Sequence, residues 1–306
     1  MFEIVFLGTA AGIPAVDRGL PALVVLHRAR RFLIDCGEGT QRQLLTSGLG
    51  LRRLDTVLLT HGHLDHLLGL GGLAGTIALL RTSERLDVYG GPQALDAARS
   101  LLEQVVWQGG RPPIEVRAIP LHPGIVLEDA RLCLRAFLVR HRDSGSFGFR
   151  FEEKPRRKML RDRLEALGVP SGALRRRLAL GEAVRLPDGR SIRPDDVLAP
   201  HEPGTRLAVV GDTGDTGDLV EQVRDADALV IEVTYLERDA GLAAARGHLT
   251  AARAARLAAD AGVAALYLTH IAGRYAPSEI EAEARAIFPR TTVARDFDRI
   301  LVRRRS

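Results

Sequence analysis

The sequence predicts an α+β fold: two β-sheets packed face to face with helices over their outer surfaces, an αββα sandwich carrying an insertion. Three observations lead there. Short apolar runs bounded by turn residues interleave with helical segments in both halves of the chain. Sheets that are apolar on both faces must be covered on both, and two packed sheets with helices outside satisfy this. At 306 residues the chain suits one large domain, or one domain with an insertion.

In order along the chain, strands are expected at Phe2–Leu7, Leu23–His27, Arg31–Ile34, Thr56–Leu59 and Leu86–Tyr89, where apolar and β-branched residues lie between turn signals. Helices are expected from Gln41 to Ser47 and from Gln93 to Trp107, the second opened by Pro92. Strands follow at Ile114–Ile119, Arg131–Val139 and Phe147–Phe151. The second half repeats the scheme, with strands Leu207–Val210, Ala228–Ile231, Ala265–Leu268 and Arg299–Val302. Its helices are expected at Asp218–Arg224, Thr250–Ala261 and Ser278–Ile287.

One segment breaks the rhythm. From Glu152 to Pro200 the chain is charged, punctuated by Gly and Pro, and has few apolar residues. Twelve basic residues fall between Lys154 and Arg193, opposed only by Asp162, Glu165, Glu182 and Asp188. The expectation is a single domain over residues 1–306 with a flexible basic arm inserted at 152–200.

Composition narrows the class further. The net charge of +5 and a pI near 9.7 mildly favour polyanionic partners. No apolar run is long enough to span a bilayer, so no membrane association is expected. Met1 to Gly8 carries an acid and no basic flank, and reads as a first strand rather than a signal peptide. Cys36 and Cys133 are far apart and lie in or beside apolar stretches, which disfavours a disulfide and points to a reducing cytoplasm.

The chemistry concentrates in Thr60-His61-Gly62-His63-Leu64-Asp65-His66, an H-x-H-x-D-H cluster just after an apolar strand. Imidazole nitrogen suits zinc, and a carboxylate completes or bridges a site. On an extended segment His61 and His63 share a face, whereas the neighbours Asp65 and His66 point apart and can serve a second metal. The cluster is too small for two ions. Further ligands are expected at the tips of later strands, where His141, Asp212, His270 and Asp35 each follow an apolar run. Singly, each reads equally well as a strand-end cap; beside the cluster, the metal reading dominates.

These motifs resemble the metallo-β-lactamase superfamily and, within it, the ribonuclease Z family of tRNA 3′-processing endonucleases, short form. The likeness runs through Phe6-Leu7-Gly8-Thr9, Ile34-Asp35-Cys36-Gly37-Glu38-Gly39-Thr40-Gln41 and the H-x-H-x-D-H cluster. It continues through His141 before Phe147-Gly148-Phe149, then Gly211-Asp212-Thr213, Ile231-Glu232-Val233-Thr234, Gly247-His248-Leu249-Thr250 and His270 with Arg274-Tyr275. The basic insertion sits where the family carries its tRNA-clamping arm. The sequence departs from the family pattern at Arg18-Gly19, Gly71-Gly72, Gly172-Ala173 and Leu249.

The resemblance implies a metallo-β-lactamase sandwich with two zinc ions per subunit, manganese or iron being alternatives. His61, His63 and His141 would hold one ion and Asp65, His66 and His270 the other, with Asp212 bridging. It implies hydrolysis of precursor tRNA by a metal-bridging hydroxide that Asp65 orients. His248 would protonate the leaving 3′-oxygen, Glu232 would orient His248, and Asp35 would fix a ligand tautomer. Arg274 and the arm residues Arg156, Arg157, Arg175, Arg176 and Arg177 would bind substrate phosphates. A homodimer whose arm serves the partner's active site is also implied. Two other classes stay open: a zinc phosphodiesterase or arylsulfatase-like hydrolase of other substrates, and a non-catalytic RNA-binding protein. His248 argues against the last, since a binding module needs no proton donor.

Overall fold

The computed structural model describes residues 1–142 and 144–305. They form two compact units, one comprising Met1–Glu152 with the chain from Thr205 onward, the other Glu153–Gly204. The first half of the larger unit supplies strands β1 (Phe2–Gly8), β2 (Ala22–His27), β3 (Arg30–Ile34), β4 (Thr56–Leu58), β5 (Arg85–Gly90) and β6 (Glu115–Pro120). Next come β7 (Gly124–Glu128), β8 (Leu132–Val139) and β9 (Ser146–Glu153), and the smaller unit holds β10 (Val184–Arg185) and β11 (Ser191–Ile192). The rest are β12 (Arg206–Val210), β13 (Ala228–Glu232), β14 (Leu266–Thr269), β15 (Thr291–Val293) and β16 (Arg299–Val302).

Two seven-stranded sheets result, ordered β16-β1-β2-β3-β4-β5-β6 and β15-β14-β13-β12-β9-β8-β7. Strands β3 to β6 run parallel, as do β12 to β15. Strand alternation explains the layers. Phe2, Ile4, Phe6, Leu58, Phe149, Leu207 and Val209 point into the core between the sheets. Their neighbours Val5, Leu7, Val57 and Leu59 pack outward against helices, as Ala208 and Val210 do on the other sheet. The αββα sandwich is therefore written in the strands themselves.

Differences from the sequence reading have local causes. The expected helix Gln93–Trp107 is an α-helix over Pro92–Ser100 that widens into a π-helix over Leu101–Val106, where Trp107 N–H reaches the Leu102 carbonyl at 3.0 Å. The helix Leu70–Leu80 was not foreseen, because Gly71, Gly72 and Gly75 lower its propensity. Its buried residues Leu70, Leu73, Ala74 and Ile77 nevertheless keep helical spacing, and tertiary burial wins. Strands β7 and β15 and the helix Ala240–Arg246 were also unforeseen.

Two glycines seat the metal-motif turn. A Cβ on Gly37 would lie 2.4 Å from the Asp65 carbonyl oxygen, and one on Gly69 2.0 Å from that of Gly37. This backbone contact lets Cys36 N–H reach the His66 carbonyl at 2.7 Å and Gly69 N–H reach the Cys36 carbonyl at 2.9 Å. The loop after β3 and the motif after β4 are thereby locked together.

The smaller unit is more than a charged linker. Leu164, Val169, Leu178, Val184, Leu186, Ile192, Val197 and Leu198 are buried together. Short helices Arg161–Ala166, Ala173–Ala179 and Pro194–Val197 surround the β10–β11 pair. The apolar residues were hard to read because they are sparse among arginines. Among the described residues no helix is long and apolar enough to cross a membrane, and Cys36 and Cys133 are both free and buried.

Candidate metal centre

The site lies where the parallel strands of both sheets end, the customary ligand position in such sheets. After β4 the chain bends at Thr60 and runs to His63, whose extended backbone opens the helix Leu64–Leu67. Asp65 and His66 thus lie in a helical turn and not on a strand. The expectation that they point apart is corrected: Asp65 Oδ2 and His66 Nε2 are 3.5 Å from each other. Asp212 follows β12, Glu232 ends β13 and His270 follows β14. His270 and Asp35 adopt left-handed backbone angles, φ 61° and 56°, uncommon outside glycine and typical of positions held by their surroundings.

Two groups of donors form. In the first, His63 Nδ1 lies 2.9 Å from His61 Nε2 and 3.4 Å from His141 Nε2, and Asp212 Oδ2 is 3.7 Å from both of those Nε2 atoms. In the second, His66 Nε2 and His270 Nε2 are 3.4 Å apart, with Asp65 Oδ2 at 3.5 and 3.6 Å. Asp212 Oδ1 sits 3.5 Å from His66 Nε2 and 3.3 Å from His270 Nε2. One carboxylate therefore turns an oxygen toward each group.

The residues fit a pair of divalent cations. A tetrahedral ion with bonds of about 2.0–2.1 Å has ligand atoms roughly 3.3 Å apart, the spacing seen here. Asp212 Oδ1 is buried with no hydrogen-bond partner, which is costly without a cation. The outward ring nitrogens of His61, His66, His141 and His270 are occupied. His141 Nδ1 donates to the Gly247 carbonyl at 2.7 Å, which leaves its Nε2 lone pair facing inward. His66 Nδ1 bonds Asp35 Oδ2 at 2.8 Å, His270 Nδ1 meets Thr234 Oγ1 at 2.9 Å, and His61 Nδ1 meets Thr60 Oγ1 at 3.0 Å. Burial, aided by His66, holds the His61 pKa well below the ordinary value, as a neutral ligand requires. Burial opposes charge on His66, but Asp212 and Asp35 outweigh it and raise its pKa, so the carboxylates demand positive charge here.

The cluster opens into a cleft of about 570 Å³ lined by His63, Asp65, Asp212, His248 and Arg274. His248 Nδ1 is 2.9 Å from Glu232 Oε1. Burial lowers the His248 pKa, but this contact outweighs it and the net shift is upward. Glu232 is fully buried and does not line the cleft. It accepts N–H groups of Thr213, Thr234 and Leu249 as well as facing His248. Arg274 lies over the rings of Tyr235 and Tyr275 at 5.7 and 6.0 Å.

Sequence reasoning assigned no role to Arg142, Arg246, Thr234 or Gly12. Arg142 and Arg246 add charge to the cleft. Thr234 Oγ1 links Glu232 and His270, and Gly12 N–H donates to Asp65 Oδ2 at 3.1 Å. Only Thr234 carried a signal, as part of the quoted Ile231–Thr234 motif. In the smaller unit, Arg157 binds the Ala199 and Leu198 carbonyls and Asp195, Arg175 binds the Val169 carbonyl, and Arg177 pairs with Glu182. These three arginines brace their own unit. The Arg156 and Arg176 side chains have no such partners among the described residues; the Arg156 backbone pairs with Glu202.

Known proteins share this architecture. The metallo-β-lactamase superfamily model matches residues 18–134, and a β-lactamase superfamily domain model matches 197–271. A protein of Bradyrhizobium sp. (strain ORS 278) named Ribonuclease Z is 51% identical over 302 residues, covering 99% of this chain and 100% of its own. One from Crocosphaera subtropica, also named Ribonuclease Z, is 37% identical over 313 residues, 99% of each chain. The crystal structure of human tRNase Z, short form, superposes with a TM-score of 0.71 at 26% identity over 98% of this chain and 99% of that one. The chain belongs to the ribonuclease Z family of the metallo-β-lactamase superfamily.

Proposed function

We propose that the chain is an endoribonuclease that removes the 3′ trailer from precursor tRNA, using two zinc ions per subunit. The observation that carries this is the coincidence of the donor cluster with full-length identity of 51% to a protein named Ribonuclease Z. When bound, the two ions would activate water at neutral pH and offset charge gathering on the phosphate. Asp65, held by the Gly12 amide, orients the attacking water. His248, with Nδ1 engaged by Glu232, keeps Nε2 to protonate the leaving 3′-oxygen. Arg142, Arg246 and Arg274 hold substrate phosphates at the cleft.

The basic unit 153–204 is the tRNA-binding element in this reading, with Arg156 and Arg176 among its available cations. It acts on the partner's site within a homodimer. A reducing cytoplasm fits the two free, buried cysteines. The test is incubation of the purified, metal-loaded protein with a 3′-extended precursor tRNA, mapping product ends, beside elemental analysis. Cleavage at the trailer junction with two zinc ions per chain is expected. Turnover of bis(p-nitrophenyl) phosphate with intact precursor would favour a phosphodiesterase of other substrates.

A further inference from the structure

The end of the second sheet away from the donor cluster carries a basic cleft that the chemistry above does not use. It has a volume of about 780 Å³, includes Phe288 and Pro289 in its wall, and is ringed by Arg290, Arg303, Arg304 and Arg305. No acidic residue lines it. Arg290 precedes β15, Arg303 follows β16, and all four arginines are exposed. His270 follows the opposite end of β14, which at about 3.3 Å per residue separates the two ends by roughly 13 Å.

The cleft is built and not a frayed tail. Arg305 N–H donates to Asp227 Oδ1 at 2.7 Å, and its guanidinium reaches the Val263 carbonyl at 3.2 Å. Asp227 also accepts Arg206 N–H at 2.8 Å, so it ties the segment after β16 to the start of β12. By contrast, the Arg290 and Arg303 side chains have no carboxylate within 4.0 Å among the described residues. Arg290 and Arg303 therefore bring like charge to one cleft with no carboxylate on either side chain, and a polyanion relieves their repulsion. Guanidinium groups match phosphate oxygens in pairs, and the space exceeds what a single phosphate fills.

We infer that this cleft grips the phosphodiester backbone of the RNA substrate away from the scissile bond. The contact is sequence-independent and sets affinity and orientation. The inference rests on the RNA-processing reading above. Its test uses the full-length, metal-loaded protein and the double variant Arg290→Gln, Arg303→Gln; Arg305 is kept because it holds the segment in place. Affinity for a fluorescent structured RNA of tRNA length is measured across salt. Loss of two ion pairs should lower the slope of log K against log salt by about 1.4–1.8. The wild type's advantage should then shrink about 7- to 12-fold between about 50 and 200 mM salt. Metal content and bis(p-nitrophenyl) phosphate turnover should stay at wild-type values, which checks the fold. Equal affinity and slope in the two proteins would overturn the inference, as would loss of binding to anionic lipid vesicles with RNA binding unchanged. A wild type that binds RNA through the cleft yet leaves precursor tRNA uncut would sink the processing reading instead.

Discussion

Replacing Asp35 by asparagine tests how the second donor group is prepared. Asp35 Oδ2 takes the His66 Nδ1 proton at 2.8 Å, and Oδ1 accepts Thr60 N–H at 2.8 Å. Both oxygens face donors, so an amide cannot replace the carboxylate without conflict. If its NH₂ turns to His66, the ring must protonate Nε2, the atom that faces Asp212. If it turns to Thr60, two N–H groups collide. The backbone should not object, since asparagine tolerates the left-handed angle at φ 56°. Partners of this kind are worth about 10–100-fold in metal affinity, or about 1.4–2.7 kcal/mol. The loss should fall mainly on the ion at Asp65, His66 and His270, because His141 bonds the Gly247 carbonyl and His61 meets Asp35 only through Thr60 Oγ1. Chelator competition with zinc should show two tight sites in wild type, against one tight and one weakened site in Asp35→Asn. Two wild-type affinities in the variant would refute the reasoning.

Other outcomes follow from the same geometry. His248→Ala should keep both ions yet slow cleavage of precursor tRNA by about 10²–10⁴-fold, with a smaller loss on bis(p-nitrophenyl) phosphate, whose leaving group needs no proton; equal losses in parallel kinetics would assign His248 another task. Glu153 and Gly204 touch, a Cβ on Gly204 falling 1.8 Å from the Glu153 carbonyl oxygen, so residues 154–203 can be replaced by a short Gly/Ser bridge. That excision should preserve metal content and small-substrate turnover while raising KM for precursor tRNA; unchanged KM would remove the unit from substrate binding. His63→Ala should lower the metal content measured by elemental analysis, and full occupancy with full activity would exclude His63 as a ligand. Burial pushes the Cys36 thiol up to about 12. It should therefore resist iodoacetamide at pH 8 until denaturant is added, and rapid native labelling by mass spectrometry would contradict its burial.

The sandwich was legible because strand periodicity is local. In Phe2-Glu3-Ile4-Val5-Phe6-Leu7 the chain itself states that both faces are buried, and the same holds for Leu207–Val210. The donor residues were legible for a similar reason: His61, His63, Asp65 and His66 are dense in sequence, and His141, Asp212 and His270 each follow an apolar strand. Elements whose stability comes from neighbours were not. The helix Leu70–Leu80 forms despite its glycines because Leu70, Leu73, Ala74 and Ile77 bury one face of it, and the core of the basic unit appears only when its scattered leucines and valines meet.

By itself, then, the sequence determined the layers and the inventory of ligand-type side chains, since periodicity and residue chemistry act over a few positions. Tertiary structure decided how that inventory is used. Asp65 and His66 converge because the helix Leu64–Leu67 bends the motif at His63. Asp212 turns one oxygen to each donor group because β12 ends between them. Glu232 is withdrawn beneath His248, and Arg157, Arg175 and Arg177 are spent on their own unit. Each outcome depends on distances between residues remote in the chain, which burial and hydrogen bonding settle only once the sheets have packed.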